Sequence, residues 1–154
     1  MEEMKYIVFQ LGQEKYGMNL SCVSGIEKDY RIIPVPNAPE CVDGIINLRG
    51  TVIPVYSLKK RFKMSEQSKG TEKSLLVTLS AGTVIAYEVD VVLGIEQMEA
   101  DKIVKMPDVA SNQETTFLDR ILRVGNDIVL AIDVNRILSQ EMTDKLNKFV
   151  ENQQ

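Results

Sequence analysis

The side chains able to carry chemistry in this 154-residue chain are few and dispersed. The sequence has no histidine, which excludes a Ser-His-Asp or Cys-His centre, a histidine metal site and the usual proton shuttle at neutral pH. Cys22 and Cys41 lack the spacing of a metal or redox motif, so we expect them to be reduced thiols of a cytosolic protein. No glycine-rich loop precedes a Lys-Ser/Thr pair, so the sequence has no P-loop.

The carboxylates do not suggest a catalytic pair either. Asp90 and Asp133 each follow a strand-like run and precede a short apolar turn, so we interpret both as helix caps. Glu27, Glu96 and Glu99 lie apart in predicted loops, without a spacing typical of a shared site. The sequence therefore favours a binding module over an enzyme. A module that binds a protein and a β-barrel that binds a small molecule or nucleic acid are the two alternatives within that class.

Composition narrows the class of partner. Lys and Arg number 18 against 22 Asp and Glu, a net charge of −4, which argues against a general nucleic-acid binder or a polybasic membrane protein. Aromatic residues are only 6% with no Trp, which disfavours a base-stacking platform. The start of the chain is acidic, and no apolar run approaches the ~18 residues that span a bilayer. We expect a soluble, cytoplasmic protein with no cofactor and no direct membrane insertion.

One arginine stands on a predicted hairpin. Residues 44–58 read as two strands joined by a tight turn at Arg49-Gly50-Thr51. Gly50 can supply the positive φ that such a turn needs. An exposed Arg49 on a rigid hairpin suits recognition better than catalysis. The alternative is that Arg49 is an ordinary solvated turn residue.

The surrounding sequence contains an internal repeat. Val-x-Gly-Ile-Glu occurs at residues 23–27 and again at 92–96, and residues 46–55 align with 122–131. Each half runs strand, turn, strand, helical turn, connector and hairpin, and the polar residues 65–72 mark the middle. The repeat predicts two similar all-β lobes, each closing into a small barrel.

In the C-terminal segment the spacing of the apolar residues differs from that in the predicted strands. Its apolar residues recur at helical spacing and predict an amphipathic helix over approximately residues 134–150, capped by Asp133 or Asn135. The apolar positions are Ile137, Leu138, Met142, Leu146, Phe149 and Val150. We expect this stripe to pack on the protein's own core, and a partner groove is the alternative.

Three runs carry a family resemblance: Val-Pro-Asn-Ala-Pro-Glu at residues 35–40, Gly-Ile-Ile-Asn-Leu-Arg-Gly at 44–50 and Val-Ile-Pro-Val at 52–55. Because of these three runs, the chain resembles the CheW family of chemotaxis coupling proteins. The resemblance extends from Tyr6 to about Val150. The resemblance implies a mainly β fold, with two SH3-like five-stranded β-barrel lobes around a shared hydrophobic core. In this interpretation residues 1–154 form a single CheW-like domain. Lobe 1 covers approximately residues 15–70, and lobe 2 covers approximately 71–134 plus the N-terminal strand 5–12.

The resemblance also implies a function. Such proteins are non-catalytic adaptors that bind the cytoplasmic tip of chemoreceptors and the regulatory domain of the chemotaxis histidine kinase, within membrane-associated receptor arrays. Carried over residue by residue, the receptor-binding positions are Arg49, Gly44 and Ile95, and the kinase-binding positions are Val23, Val104 and Val109. Receptor tips are acidic helical hairpins, so an ion pair with the arginine is physically reasonable.

Two of these assignments have a structural alternative. Val23 and Ile95 are apolar, and their side-chain type is equally compatible with the core. Gly25 stands where the family usually has an acidic residue, which removes a charge pair expected there.

Overall fold

The computed structural model describes residues 4–64, 73–80, 82–105 and 117–153. Within these ranges the chain is mainly β, as predicted, with eleven strands in two sheets and one long helix near the C-terminus. None of the helices in these ranges is both long enough and apolar enough to cross a membrane.

The strands are short and mostly joined by tight turns. In chain order they are β1 (Met4–Leu11), β2 (Glu14–Asn19), β3 (Val23–Glu27), β4 (Val42–Leu48), β5 (Thr51–Ser57), β6 (Ser74–Ser80), β7 (Thr83–Val89), β8 (Val91–Met98), β9 (Ile103–Lys105), β10 (Leu118–Val124) and β11 (Asp127–Ile132). Helix α1 covers Leu58–Arg61, helix α2 covers Gln140–Gln153, and single 3₁₀ turns occupy Leu20–Cys22 and Ala100–Lys102.

The two sheets define two lobes. Lobe 1 is the five-stranded sheet β3-β6-β7-β5-β4, and lobe 2 is the six-stranded sheet β8-β1-β2-β11-β10-β9. Neighbouring strands are antiparallel, except that β5 pairs with β7, and β11 with β2, in parallel. The sixth strand of lobe 2, which the five-stranded prediction lacked, is the three-residue edge strand β9 on β10.

The predicted boundary between the lobes does not match the pairing of the strands. Strands β6 and β7, assigned to lobe 2 by the prediction, pair with β3 and β5 in lobe 1. Strand β2, assigned to lobe 1, pairs with β1 and β11 in lobe 2. The prediction divided the chain at its polar middle, whereas the backbone crosses between lobes after β2 and again after β7. Which strands pair is decided by contacts between distant parts of the chain, and a linear repeat does not reveal them.

A hydrophobic core is shared between the lobes. It contains Phe9 and Met18 from lobe 2, Tyr87 from lobe 1 and Leu146 from α2, each fully buried. A smaller cluster fills the inside of each lobe, one around Val55 and Val77 and the other around residues such as Leu122 and Val129. Small lobes of this size bury too little apolar surface alone, so the shared core stabilises both.

Asp90 connects the lobes through a buried ion pair. Its Oδ2 lies 2.9 Å from Nζ of Lys59, and the two side chains are only 7% and 8% exposed. The same oxygen accepts a hydrogen bond from the Gly12 N–H at 2.7 Å. The prediction of Asp90 as a helix cap is wrong, because strand β8 begins directly after it and leaves no helix to cap.

Helix α2 packs its apolar stripe on the protein's own core, as expected. Its buried residues are Thr143, Leu146 and Phe149. The helix begins at Gln140 and not near residue 134, because Ser139 caps it: the Met142 N–H donates to Ser139 Oγ at 3.2 Å. Asp133 instead closes a local turn, accepting from the Asn135 N–H at 3.0 Å, so neither of the two predicted caps serves α2.

Candidate interaction surfaces

The β4–β5 hairpin presents Arg49 to solvent. Leu48 pairs directly with Thr51, so the turn consists of Arg49 and Gly50 alone. Their φ values, +52° and +87°, are both positive, the signature of a type I′ turn. The turn is closed further by Asn47, whose Oδ1 accepts from the Gly50 N–H at 2.9 Å. The backbone of the hairpin therefore supports the Arg49 side chain rigidly.

That side chain is almost unrestrained by the rest of the protein. It is 83% exposed, and its nearest carboxylate oxygen is Glu27 Oε1 at 3.8 Å from Nη2. An exposed pair at this distance contributes little to stability. A non-glycine residue in the left-handed region costs about 1–2 kcal/mol, and Asn is the usual choice at this turn position. Backbone strain retained under an exposed cation is typical of a functional residue.

Gly44 lies inside the fold rather than on the hairpin surface. It is buried with φ +152°, and a Cβ placed on it would stand 2.1 Å from the carbonyl oxygen of Ile33. The neighbouring Ile45 exchanges two backbone hydrogen bonds with Ile33, at 2.8 and 3.0 Å. Gly44 therefore allows the proline-rich connector at residues 32–39 to lie against β4.

Ile95 is an exposed apolar residue at the edge of lobe 2. It pairs with Ile7 across the β1–β8 ladder, so both side chains lie on the same face of the sheet. Ile7 is 1% exposed within the shared core, whereas Ile95 is 56% exposed. Leu93 in the same strand is also exposed, at 47%. The core alternative for Ile95 is thus wrong, and the core face of the sheet extends into solvent here.

Val23 begins β3 at the margin of the shared core. It is half-buried, packs against that core and pairs with Thr78. Beyond it, Leu79 and Val84 face each other across the β6–β7 ladder and are 56% and 43% exposed. The sequence does not predict this exposed pair, because strand alternation gives both residues the appearance of interior positions.

Val104 lies on β9 at the far edge of lobe 2 and is 45% exposed. It pairs with Ile121, which pairs in turn with Leu130, and Leu130 pairs with Tyr16. These four side chains form an apolar row on the face of lobe 2 that packs on the shared core, buried at Tyr16 and exposed at Val104. Val109, the third predicted kinase-binding residue, lies outside the described residues.

The positions divide between the lobes. Arg49, Gly44 and Val23 lie in lobe 1, and Ile95 and Val104 lie in lobe 2.

Comparison with known proteins identifies the family of this fold. The model of the CheW-like domain matches residues 5–142. The chain belongs to the CheW-like domain family.

The similarity of this CheW-like chain to named proteins extends over nearly its whole length. It is 29% identical to the chemotaxis protein CheW of Treponema pallidum, covering 94% of this chain and 88% of that protein. It is 26% identical to the chemotaxis protein CheW of Bacillus subtilis, covering 89% and 88%. The crystal structure of the scaffolding protein TtCheW from Thermoanaerobacter tengcongensis superposes with a TM-score of 0.80 at 29% identity, covering 90% of each chain. These matches confirm the predicted fold.

The CheW-like domain shows little reactive chemistry. Among the residues that the structure describes, no group of three or more Cys, Asp or Glu side chains is placed to hold a metal ion. Both cysteines are free and half-buried, and burial raises the pKa of the Cys41 thiol, which disfavours the nucleophilic thiolate. Burial also raises the pKa of Tyr87, whose hydroxyl lies 3.1 Å from Ser80 Oγ inside the core. These groups contribute to the packing of the fold.

Proposed function

We propose that this chain is a non-catalytic adaptor that couples chemoreceptors to the chemotaxis histidine kinase. The observation that carries the proposal is the match of the CheW-like domain to residues 5–142, which contain the exposed Arg49 hairpin. The relatives in Treponema and Bacillus are named chemotaxis proteins, and the structural neighbour is named a scaffolding protein. An adaptor that couples two partners needs separate surfaces, and the exposed positions described above are spread over both lobes.

The receptor surface is formed by Arg49 and Ile95, with Gly44 as a positioning residue. A guanidinium can bind a carboxylate with two parallel hydrogen bonds, which suits an acidic receptor tip. The exposed apolar surface at Ile95 is suited to pack against the apolar stripe of a receptor helix. Gly44 acts indirectly: it is buried, and its missing side chain lets the connector pack beside the hairpin. Binding at the receptor tip would recruit the chain from the cytoplasm to membrane-associated arrays.

The regulatory domain of the kinase binds at two places. One is centred on Val23, where the exposed pair Leu79 and Val84 enlarges the apolar area. The other is centred on Val104, at the exposed end of the row that runs to Tyr16, and includes Val109. Contacts on both lobes would allow kinase domains and adaptors to alternate in a ring.

The test is co-sedimentation of a receptor cytoplasmic fragment and the kinase regulatory domain, with and without this chain. We expect both partners to be recovered together only when the chain is present. Arg49→Glu should weaken receptor binding but leave kinase binding unchanged, because the variant reverses one exposed charge. Lys148→Glu reverses an exposed charge on α2 and is the matched control. Unchanged receptor affinity in Arg49→Glu would remove Arg49 from the surface, and failure to recover either partner would refute the adaptor.

A further inference from the structure

A cavity of about 310 Å³ opens between α1 and the first turn of α2. Its floor includes Cys41 and Tyr56, and one wall is formed by the basic residues that end α1. Cys41 directly precedes the seven-residue strand β4, and Arg49 directly follows it. At about 3.3 Å per residue, the eight steps from Cys41 to Arg49 place the cavity and the hairpin roughly 26 Å apart. This site is therefore separate from the receptor surface proposed above.

The basic wall gives the cavity a positive charge in an otherwise acidic protein. Lys60, Arg61 and Lys63 line it against a single acid, Glu40, while the whole chain has a net charge of −4. Arg61 is held in place by the ring of Phe117, 4.8 Å from its guanidinium carbon. Burial has the largest influence on Cys41 and raises the pKa of its thiol, and the charge of Glu40 acts in the same direction. The hydrogen bond with Tyr56 and the charges of Arg61 and Lys60 lower that pKa.

Lys63 is the cation best placed to receive a ligand. Lys60 already forms an ion pair with Asp43, and Arg61 lies over an aromatic ring. Lys63 is exposed and has no ion pair among the described residues. Its φ of +57° is left-handed, so the chain turns sharply after α1 and carries this side chain to the rim.

The opposite wall is apolar. It is formed by Ile137 and Leu138 before α2 and by Met142 in its first turn. Met142 is half-buried and its thioether side chain is flexible, so this wall can adapt to an apolar group. One side of the cavity thus suits an anion and the other an alkyl or aryl group.

We propose that this cavity binds a small organic monoanion with an apolar body, such as a medium-chain carboxylate. The carboxylate faces Lys63 and Arg61, and the chain lies against Met142 and Ile137. The volume is at the lower end of the range for small-molecule sites, which fits a compact ligand. The proposal is independent of the adaptor function, because it uses none of the residues assigned to receptor or kinase.

The test is protection of Cys41 from iodoacetamide by octanoate, followed residue by residue with mass spectrometry. Cys22 is the internal reference, because it lines a different cavity, beside Met4 and Tyr6. We expect octanoate to slow alkylation of Cys41 saturably while Cys22 reacts at an unchanged rate. Octanol and octylammonium, with the same chain but no negative charge, should protect far less. Equal protection by octanol, or none by octanoate, would overturn the proposal.

Two variants locate the ligand. Lys63→Gln should weaken octanoate binding about two- to fivefold, as expected for one exposed charge pair. Met142→Glu adds a negative charge to the apolar wall and should abolish binding. This second variant should remain folded, because Glu three residues after Ser139 completes a capping box at the start of α2. Lys148→Gln is the control on the exposed face of the same helix. Undiminished binding in Met142→Glu would refute the assigned site.

Discussion

Replacing Arg49 by Asn should make the protein more stable while it weakens receptor binding. Arg49 occupies the first central position of a type I′ turn with φ +52°, where most side chains cost about 1–2 kcal/mol and Asn, whose short amide hydrogen-bonds locally, is favoured. Its exposed contact with Glu27, at 3.8 Å, contributes only ~0–0.5 kcal/mol. We therefore expect the free energy of unfolding to rise by about 0.5–1 kcal/mol in Arg49→Asn. For a chain of this size, that corresponds to a Tm increase of roughly 1–4 °C.

Arg49→Ala separates the two effects. It removes the same guanidinium but lacks the short amide that lets Asn adopt the left-handed region, so we expect equal loss of receptor binding without the gain in stability. Urea denaturation measures the free energy of unfolding for the three proteins, and titration with a receptor fragment measures affinity. Two outcomes would refute the reasoning. If Arg49→Asn is no more stable than Arg49→Ala, the turn is not strained by its side chain. If both variants bind the receptor normally, the exposed arginine is not part of that surface.

Three further changes probe the interior. Gly44→Ala should destabilise the fold by more than about 3 kcal/mol in urea denaturation, because its Cβ would lie 2.1 Å from the Ile33 carbonyl oxygen. Asp90→Ala should cost about 3–5 kcal/mol in the same assay, because it leaves Lys59 charged, buried and unpaired. In a pH series, the contribution of Tyr87 to the free energy of unfolding should be fully present below pH 10 and should be lost as the pH rises above it. Burial raises the pKa of Tyr87 above its ordinary value of 10.0, so the unfolded chain loses that proton first as pH increases.

Each interior prediction has a matched control. Gly25→Ala should be nearly neutral, because the nearest atom to its Cβ is a flexible Glu27 oxygen at 3.9 Å, and equal damage at both glycines would contradict the steric argument. Asp133→Ala removes a partly exposed pair with Arg136 at 3.6 Å and should cost far less than Asp90→Ala. Tyr87→Phe should reduce the alkaline loss of stability, and an unchanged pH profile would show that another group is responsible.

Locally encoded features were predictable from the sequence. The β4–β5 hairpin, the β10–β11 hairpin at Gly125-Asn126 and helix α2 all occur, because turn chemistry and hydrophobic period act over a few residues. The start of α2 was predicted too early. Apolar residues at 137 and 138 continue the helical period, but Ser139 provides the hydrogen bond that starts the helix.

Long-range features were not predictable in the same way. Asp90 has the sequence context of a cap, yet its partners, Lys59 and Gly12, are distant in the chain. The exposed pair Leu79 and Val84 could not be separated from interior residues of the same strands. In both cases the deciding contact comes from another part of the fold.

By itself the sequence determined the family resemblance, the types of secondary structure and the arginine at the turn, because each depends on adjacent residues. Only the tertiary structure decided which strands share a lobe, and which apolar side chains stay in solvent. Alternation along a strand defines two faces, but it does not say what covers them. Ile7 and Ile95 illustrate this: they face the same way on paired strands, and only one is buried, because the shared core ends between them.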